Sequence, residues 1–541
     1  MLPDVMPHTT SLAAGLLKRA ESDAVMVEVL SSTGGPGTRH TYRELIGAAR
    51  VFAADLRRRG EVLGRPVRVG LLAENSAQWV VADLAALFAR AVEIPVPTAF
   101  TAEQASSLLA DADICLVDAC GEQWLERAAA AGDRVLPAGC PVVGVDLPGL
   151  IDAATDGQLP SLEAEIAAAE AAGDAVVKVV HTSGTTSAPK GVRVRLYGME
   201  ALLASLGGRV DDAVFARYLS VVPLSLLIEQ VAGLYMPFLN GGSVTFLPPG
   251  TALIGTVADA GPRMLSLLRQ AQPTAMVVPP TVAGLLLGLC EQNPTEDLAQ
   301  RRHRLFGHTG PVFIACGGAP VSLDVLERLE AFGIPLYEGY GLSENSSVVA
   351  WNFPGQFRFG TVGRPLDHVR ARLAQDGELL IQSTSLFDGY TQEDPSSVVV
   401  DDQGWLHTGD LATIDDDGYI RITGRKKSLV ITAAGRNLSP EWVEARYREL
   451  GFVREAAVVA DGLDEVLGLF VIDAGTDRVE ARRQIEEFGA GRLSAIERAT
   501  SVRLMAEDDP EYTAFFTVTG RPRRDAVRDL LTRTAPEEIT A

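Results

Sequence analysis

The run TSGTTSAPKG at residues 182–191 concentrates groups that bind phosphate. Thr182, Ser183, Thr185, Thr186 and Ser187 supply hydroxyls, Gly184 and Gly191 let the backbone approach a ligand, and Lys190 adds a positive charge. It follows VKVVH at residues 177–181, which reads as a buried strand. A loop rich in N–H and O–H donors with one cation can wrap a polyphosphate. The GxxxxGK[ST] spacing of a Walker A loop cannot be laid on it. Taken alone, these residues also fit a Ser/Thr-rich surface loop.

Three further segments carry chemistry. YEGYGLSE at residues 337–344 begins like a dinucleotide fingerprint, but Glu344 stands where the third glycine belongs. As a turn it can stack Tyr340 on a base and offer Glu344 to Mg2+. Its plainer reading is a tight turn with Ser343 capping a helix. WLHTGD at residues 405–410 precedes Arg425, in a basic turn at residues 425–427, by fifteen positions. A carboxylate at a strand end can accept from both ribose hydroxyls, and an arginine can bridge ribose and phosphate. Alone, Asp410 reads as a turn residue. TVTGRPRR at residues 517–524 is a basic turn, or a solvated charged loop.

These segments need elements to hold them. Residues 67–72, 92–96 and 114–117 read as strands, and residues 76–89 and 101–110 as helices, the first capped by Asn75 or Ser76. Strands are expected again at residues 244–247, 275–278, 312–315 and 335–337. This alternation predicts parallel sheets covered by helices on both faces. Beyond about residue 365, short strands at 378–382, 404–410 and 419–423 between Asp/Gly turns predict a small β-rich unit. The tail is α+β, with strands at 455–459 and 467–472 and a helix over 478–499. The texture divides the chain into residues 1–426 and 427–541.

Composition narrows the partners. The 541 residues carry 48 Lys plus Arg against 70 Asp plus Glu, a net charge of −22, with 47% hydrophobic residues. Such a chain is folded and multidomain. Its acidity argues against nucleic acid as a partner, because phosphate backbones are met by basic surfaces. Cys115, Cys120, Cys140, Cys290 and Cys316 are scattered without a CxxC pair, which points away from a disulfide framework or a zinc site and toward a reducing cytoplasm. The N-terminus has Asp4 where a signal peptide wants positive charge. The longest apolar run, near residues 276–290, is broken by Pro279 and Pro280, so no membrane insertion is expected.

In this order and spacing the four segments resemble the adenylate-forming superfamily of acyl-CoA synthetases, adenylation enzymes and luciferases. The resemblance runs from TYREL at 41–45 to Arg524 and includes GGAP at 317–320 and GTVGRP at 360–365. GRNLSPE at 435–441 and residues 358–365 look most like the bacterial long-chain acyl-CoA synthetase branch. The resemblance implies an α/β fold: a large N-terminal domain of two parallel-rich sheets plus a small β-rich subdomain, then a small mobile α+β lid hinged at Lys427. It implies that Thr182, Ser183, Gly184, Thr185, Thr186 and Lys190 hold ATP phosphates. Gly317, Gly318 and Ala319 would flank adenine and substrate, with Tyr340 and Gly341 at the base. Asp410 and Arg425 would hold ribose and phosphate, while Glu344 and Thr185 would hold Mg2+. The catalytic set would be Arg521, Lys190, Glu344 and Thr185, and the acid pocket would include Leu226, Gly318 and His181, the last packing beside the pocket.

The implied reaction converts an acid and ATP to an acyl-adenylate and pyrophosphate, then passes the acyl group to coenzyme A or a carrier-protein thiol. Two departures touch the acid side. Arg521 stands where the family has lysine, and Leu226 where relatives carry His or an aromatic residue. Arginine spreads its charge over a planar fork, so the exchange is not conservative. Alternatives are therefore adenylation of a non-carboxylate acid such as nitrite with transfer to an aryl amine, an amide-forming variant, or a nucleotide-binding pseudoenzyme. The chain is expected to be a monomer or homodimer.

Overall fold

The computed structural model describes residues 11–32, 35–157, 159–182, 190–251, 253, 260–318, 320–392, 399–426, 430–431, 437–461, 463, 465–494, 497–516 and 522–533. The first sheet has six strands in the order Val142–Gly144, Ile114–Val117, Arg68–Leu72, Val92–Pro95, Val176–Thr182, Lys190–Arg195. Every pair is parallel except the last, which is antiparallel with Thr182 opposite Lys190. Ile114, Cys115, Leu116 and Val117 are all buried, as expected for a parallel strand covered on both faces.

The helix Ala77–Ala89 is buried almost all round, from Trp79 to Phe88, and Ser76 caps its N-terminus by accepting from the Trp79 N–H. Its Asp83 meets Lys178 of the first sheet and Tyr235, which lies next to the second sheet. The second sheet has nine strands in the order Arg364–Pro365, Ser347–Trp351, Leu336–Leu342, Phe313–Cys316, Ala275–Val278, Arg217–Ser220, Ser243–Phe246, Val25–Val29, Thr38–Thr41. Its middle is parallel and both margins are antiparallel. The apolar stretch broken by Pro279 and Pro280 is one of these strands followed by the helix Pro280–Glu291, with Pro280 in its first turn. No helix among the described residues is long and apolar enough to cross a membrane.

A third, antiparallel sheet follows: Val369–Leu373, Glu378–Ser383, Leu406–Ile414, Ile420–Arg425. Arg425, expected in a turn, instead closes the last strand, and its register opposite Asp410 is what brings the two side chains together. The small C-terminal unit has the three-stranded sheet Val453–Val459, Leu467–Ile472, Ser501–Ala506, with the helices Pro440–Tyr447, Arg478–Arg492 and Arg524–Arg533. The second of these stops at Arg492, short of the expected residue 499, because Leu493 is extended (φ −119°, ψ 153°). Ser494 then bonds Glu497 locally instead of continuing the helix. Buried apolar clusters divide between Ile422 and Val430. Those around Phe470 and Phe516 draw on residues from Val430 onward, and the others on residues up to Ile422.

Candidate functional site

Tyr340 and Asp410 come from different sheets and meet. Tyr340, on the strand Leu336–Leu342, donates its phenol proton to Asp410 Oδ2 at 2.5 Å. Asp410, on Leu406–Ile414, pairs through Oδ1 with Arg425 Nε at 3.0 Å. Asp410 is buried, whereas the Arg425 head is exposed. Burial raises the Asp410 carboxyl above its usual range, with Arg425 and Tyr340 pulling it back. Burial works against the Arg425 charge, but Asp410, Tyr340, Glu441 and Glu344 outweigh it, so it stays a firm cation. An ionised carboxylate has about four acceptor positions, so Asp410 can accept ribose hydroxyls while keeping both present donors.

Glu344 sits in the turn Ser343–Asn345 between the strands Leu336–Leu342 and Ser347–Trp351. Ser343 opens this turn and makes no capping bond; the residue before it is Leu342. Ser346 and Ser347 have φ of 53° and 106°, values that cost a non-glycine residue of order 1–3 kcal/mol. The strain is held by packing. Ser346 donates to the Ser385 carbonyl at 2.9 Å, and buried Asn345 donates to the Val348 carbonyl at 3.0 Å. Gly341 is required here, since a Cβ would stand 1.7 Å from the Ser347 carbonyl oxygen. The Glu344 carboxylate is buried and accepts from the Tyr390 hydroxyl at 2.7 Å.

The strands Val176–Thr182 and Lys190–Arg195, which flank residues 183–189, both pack against the Ser343–Asn345 turn. Ser183, Gly184, Thr185, Thr186, Ala319, Lys427 and Arg521 lie outside the described residues. Gly317 and Gly318 follow the strand Phe313–Cys316, and a Cβ on Gly317 would approach the Gly339 carbonyl oxygen to 3.3 Å. The loop therefore lies against the backbone beside Tyr340. Next to it, Glu338 accepts the Val321 N–H at 2.9 Å, and burial pushes its carboxyl up to about 7.

Among these residues, Tyr340, Gly341, Glu344, Asp410, Arg425 and Gly317 form one connected region. His181 packs edge-to-face on Phe100 with centroids 4.6 Å apart, and burial lowers it to about 4, so it is neutral at pH 7. Leu226 is 45% exposed and precedes the helix Leu227–Gln230. Behind it lies a network that the sequence does not announce. Tyr218 and Ser220 donate to the two oxygens of Glu229 at 2.8 and 2.6 Å. Asn75 donates to Ser220 and accepts the Leu224 N–H, and so holds the Leu226 segment. Sequence patterning singles out neither Tyr390 nor Glu229, whose partners are 46 and 11 residues away.

Among the described residues no three His, Cys, Asp or Glu side chains are grouped to hold a metal. Glu344 would then hold the metal with Thr185, which lies outside the described residues, and with phosphates and water. This is how Mg2+ is usually held, by one or two carboxylates plus substrate phosphates. Glu344 fits that role.

Comparison with known proteins bears on the fold and the family. The fold matches an anthranilate CoA ligase, AuaEII, solved with anthranoyl-AMP, at TM-score 0.75 and 20% identity, covering 96% of this chain and 97% of that one. It also matches ATP-bound MatB from Rhodopseudomonas palustris at TM-score 0.74 and 22% identity, covering 97% and 99%. The long-chain-fatty-acid–CoA ligase FadD15 of Mycobacterium bovis is 26% identical over 556 aligned positions, 94% of this chain and 89% of that one. A Mycobacterium tuberculosis protein provisionally named fatty-acid–CoA ligase fadD11 is 32% identical over 339 residues, 55% of this chain; the match spans 58% of that relative's length. The family model described as AMP-binding enzyme matches residues 17–391, and the chain belongs to that family.

Proposed function

We propose that the chain is an ATP-dependent adenylate-forming ligase that activates an organic acid as its AMP anhydride and transfers it to the thiol of coenzyme A or a carrier protein. The observation that carries the reading is the preassembled Tyr340–Asp410–Arg425 group beside Glu344. It offers an aromatic face, a hydroxyl-accepting carboxylate and a cation, which together suit a nucleoside phosphate. The matches to acyl-CoA ligases along nearly the whole chain support the acceptor.

In the first half-reaction a carboxylate oxygen attacks the α-phosphorus of ATP, forming the P–O bond as the bond to pyrophosphate breaks. In the second, a thiol sulfur attacks the acyl carbon, AMP leaves with the electron pair of the C–O bond, and the thiol proton is released. Activation is needed because a carboxylate is a poor electrophile, whereas its anhydride carries a good leaving group. Bound Mg2+ would neutralise phosphate charge at Glu344. Arg425 and Asp410 would orient the ribose and α-phosphate. Thr182, Ser183, Gly184, Thr185, Thr186 and Lys190 would cradle the phosphates, and Arg521 would contact the acid.

The division of the apolar clusters supports a boundary near Lys427, with residues 427–541 turning as a lid between the half-reactions. Lys426 ties the end of the preceding strand to Glu378 at 2.9 Å and Asp376 at 2.6 Å, so that side of the junction is anchored. The five free cysteines suit a cytoplasmic enzyme.

The test is pyrophosphate release from ATP across fatty acids, aryl acids and nitrite, each with and without CoA or an aryl amine. Release with a carboxylate and thioester formation with CoA are expected. Release with nitrite and amine alone would replace the ligase reading with the diazotising one. No acid-dependent release despite ATP binding would indicate a pseudoenzyme.

A further inference from the structure

We propose that Tyr390 is a positioning residue for the adenylation step, acting through Glu344 and tying it to the strand that leaves residues 183–189. This rests on the adenylate-forming reading above.

Tyr390 belongs to a short segment, residues 387–391, that lies against two parts of the site at once. On one side it runs along the strand Lys190–Arg195 as an extra antiparallel edge. The Arg193 N–H donates to the Gly389 carbonyl at 3.0 Å, the Asp388 N–H to the Arg193 carbonyl at 2.8 Å, and the Thr391 N–H to the Gly191 carbonyl at 2.8 Å. The fit is close, since a Cβ on Gly191 would stand 2.8 Å from Thr391 Oγ1. On the other side, the Phe387 N–H donates to the Glu344 carbonyl at 2.9 Å, and the Tyr390 hydroxyl donates to Glu344 Oε1 at 2.7 Å. The Tyr390 ring stands edge-to-face on Phe387, with centroids 4.9 Å apart, so its direction is fixed by packing.

The physical consequence concerns the Glu344 carboxylate. Its backbone is already held by a strained turn, but a glutamate side chain keeps three rotatable bonds. The hydroxyl on Oε1 selects one orientation of the carboxylate. Mg2+ demands near-ideal octahedral geometry and tolerates misplaced ligands poorly. Partners that hydrogen-bond a metal ligand typically change metal affinity by 10–100-fold when removed. Because the same segment hydrogen-bonds the strand beginning at Lys190, the carboxylate and the end of the phosphate-facing strand hold a fixed separation.

The test compares wild type with Tyr390→Phe, which keeps the ring and its contact with Phe387. Mn2+ is the probe: its binding with ATP is followed by the loss of free-ion electron paramagnetic resonance signal beyond that caused by the same Mn2+ and ATP without protein. Wild type should bind Mn2+, and the variant should bind it about tenfold more weakly while still unfolding cooperatively, with only a small drop in melting temperature. The Mg2+ concentration giving half-maximal pyrophosphate release should rise in parallel, with kcat at saturating metal largely restored. On a Glu344→Gln background, Tyr390→Phe should have no further effect. Equal Mn2+ affinity in wild type and Tyr390→Phe, or an undiminished effect on the Glu344→Gln background, would overturn the proposal. Wild type that binds Mn2+ with ATP but releases no pyrophosphate with any acid would instead count against the ligase reading.

Discussion

Asp410 and Arg425 face one another across neighbouring antiparallel strands, 3.0 Å apart, with the carboxylate buried and the guanidinium head exposed. The pair is asymmetric in a useful way: the anion is rigid and shielded, while the cation reaches toward solvent where a phosphate would arrive. Tyr340 adds a third member from another sheet. Asp410→Asn keeps the shape but removes the charge that holds Arg425. Because hydrogen bonds to charged groups are worth about 1.5–3 kcal/mol, ATP affinity measured by equilibrium binding should fall about tenfold or more. Unchanged affinity would remove Asp410 from the nucleotide site.

Gly341→Ala should be severe. The new Cβ would stand 1.7 Å from the Ser347 carbonyl oxygen, within backbone that cannot move cheaply. Overpacking of this kind costs about 1–3 kcal/mol or more, and the turn carrying Glu344 would have to shift. Urea denaturation should show the loss of stability, and Mn2+ binding with ATP should weaken alongside it.

The pH dependence of stability should report on Glu229. Burial pushes this carboxyl up to about 8, although Ser220 and Tyr218 donate to it. Its folded value lies above the unfolded value of 4.5, so the folded protein keeps a proton that the unfolded chain releases. Its contribution to stability therefore falls as pH rises from about 4.5 to about 8. Glu229→Gln cannot titrate. The stability of wild type relative to this variant should decline between pH 5 and pH 8, by at least about 1–2 kcal/mol at roughly 1.4 kcal/mol per unit. Glu338 and Glu455, each raised by burial to about 7, are common to both proteins and cancel. A constant difference would mean that Glu229 is already ionised throughout.

Arg521→Lys separates the acid side from the nucleotide side. The residues flanking this position are anchored: Phe516 pairs with Pro522, and Arg524 holds buried Glu444 at 2.7 Å. If Arg521 contacts the acid, the exchange should change the rate of adenylation or the KM for the acid more than it changes ATP affinity. Equal kinetics for both forms would exclude the position from the reaction.

Much of this architecture is legible in local sequence. The strands at 114–117, 275–278 and 467–472 follow from compact apolar runs, and Ser76 and Thr101 mark helix starts as capping residues do. Tyr340, Glu344, Asp410 and Arg425 were visible as residue types in telling contexts, and the structure brings them together. What sequence spacing does not contain is pairing over distance. Tyr390 reaches Glu344 across 46 positions, and Asn75 reaches Ser220 across 145, through the order of strands in the sheets. The end of the helix Arg478–Arg492 carries no sequence signal, because its stop is a backbone choice at Leu493, not a glycine or proline.

The most direct test of the adenylation claim follows oxygen. The acid identified by pyrophosphate release is labelled with 18O in both carboxylate oxygens and incubated with ATP, Mg2+ and CoA. Attack of the carboxylate on the α-phosphorus, followed by thiolysis at the acyl carbon, leaves one labelled oxygen on AMP. AMP heavier by one 18O, together with unlabelled pyrophosphate, is the predicted result. Unlabelled AMP, or the appearance of ADP and inorganic phosphate instead, would contradict the account.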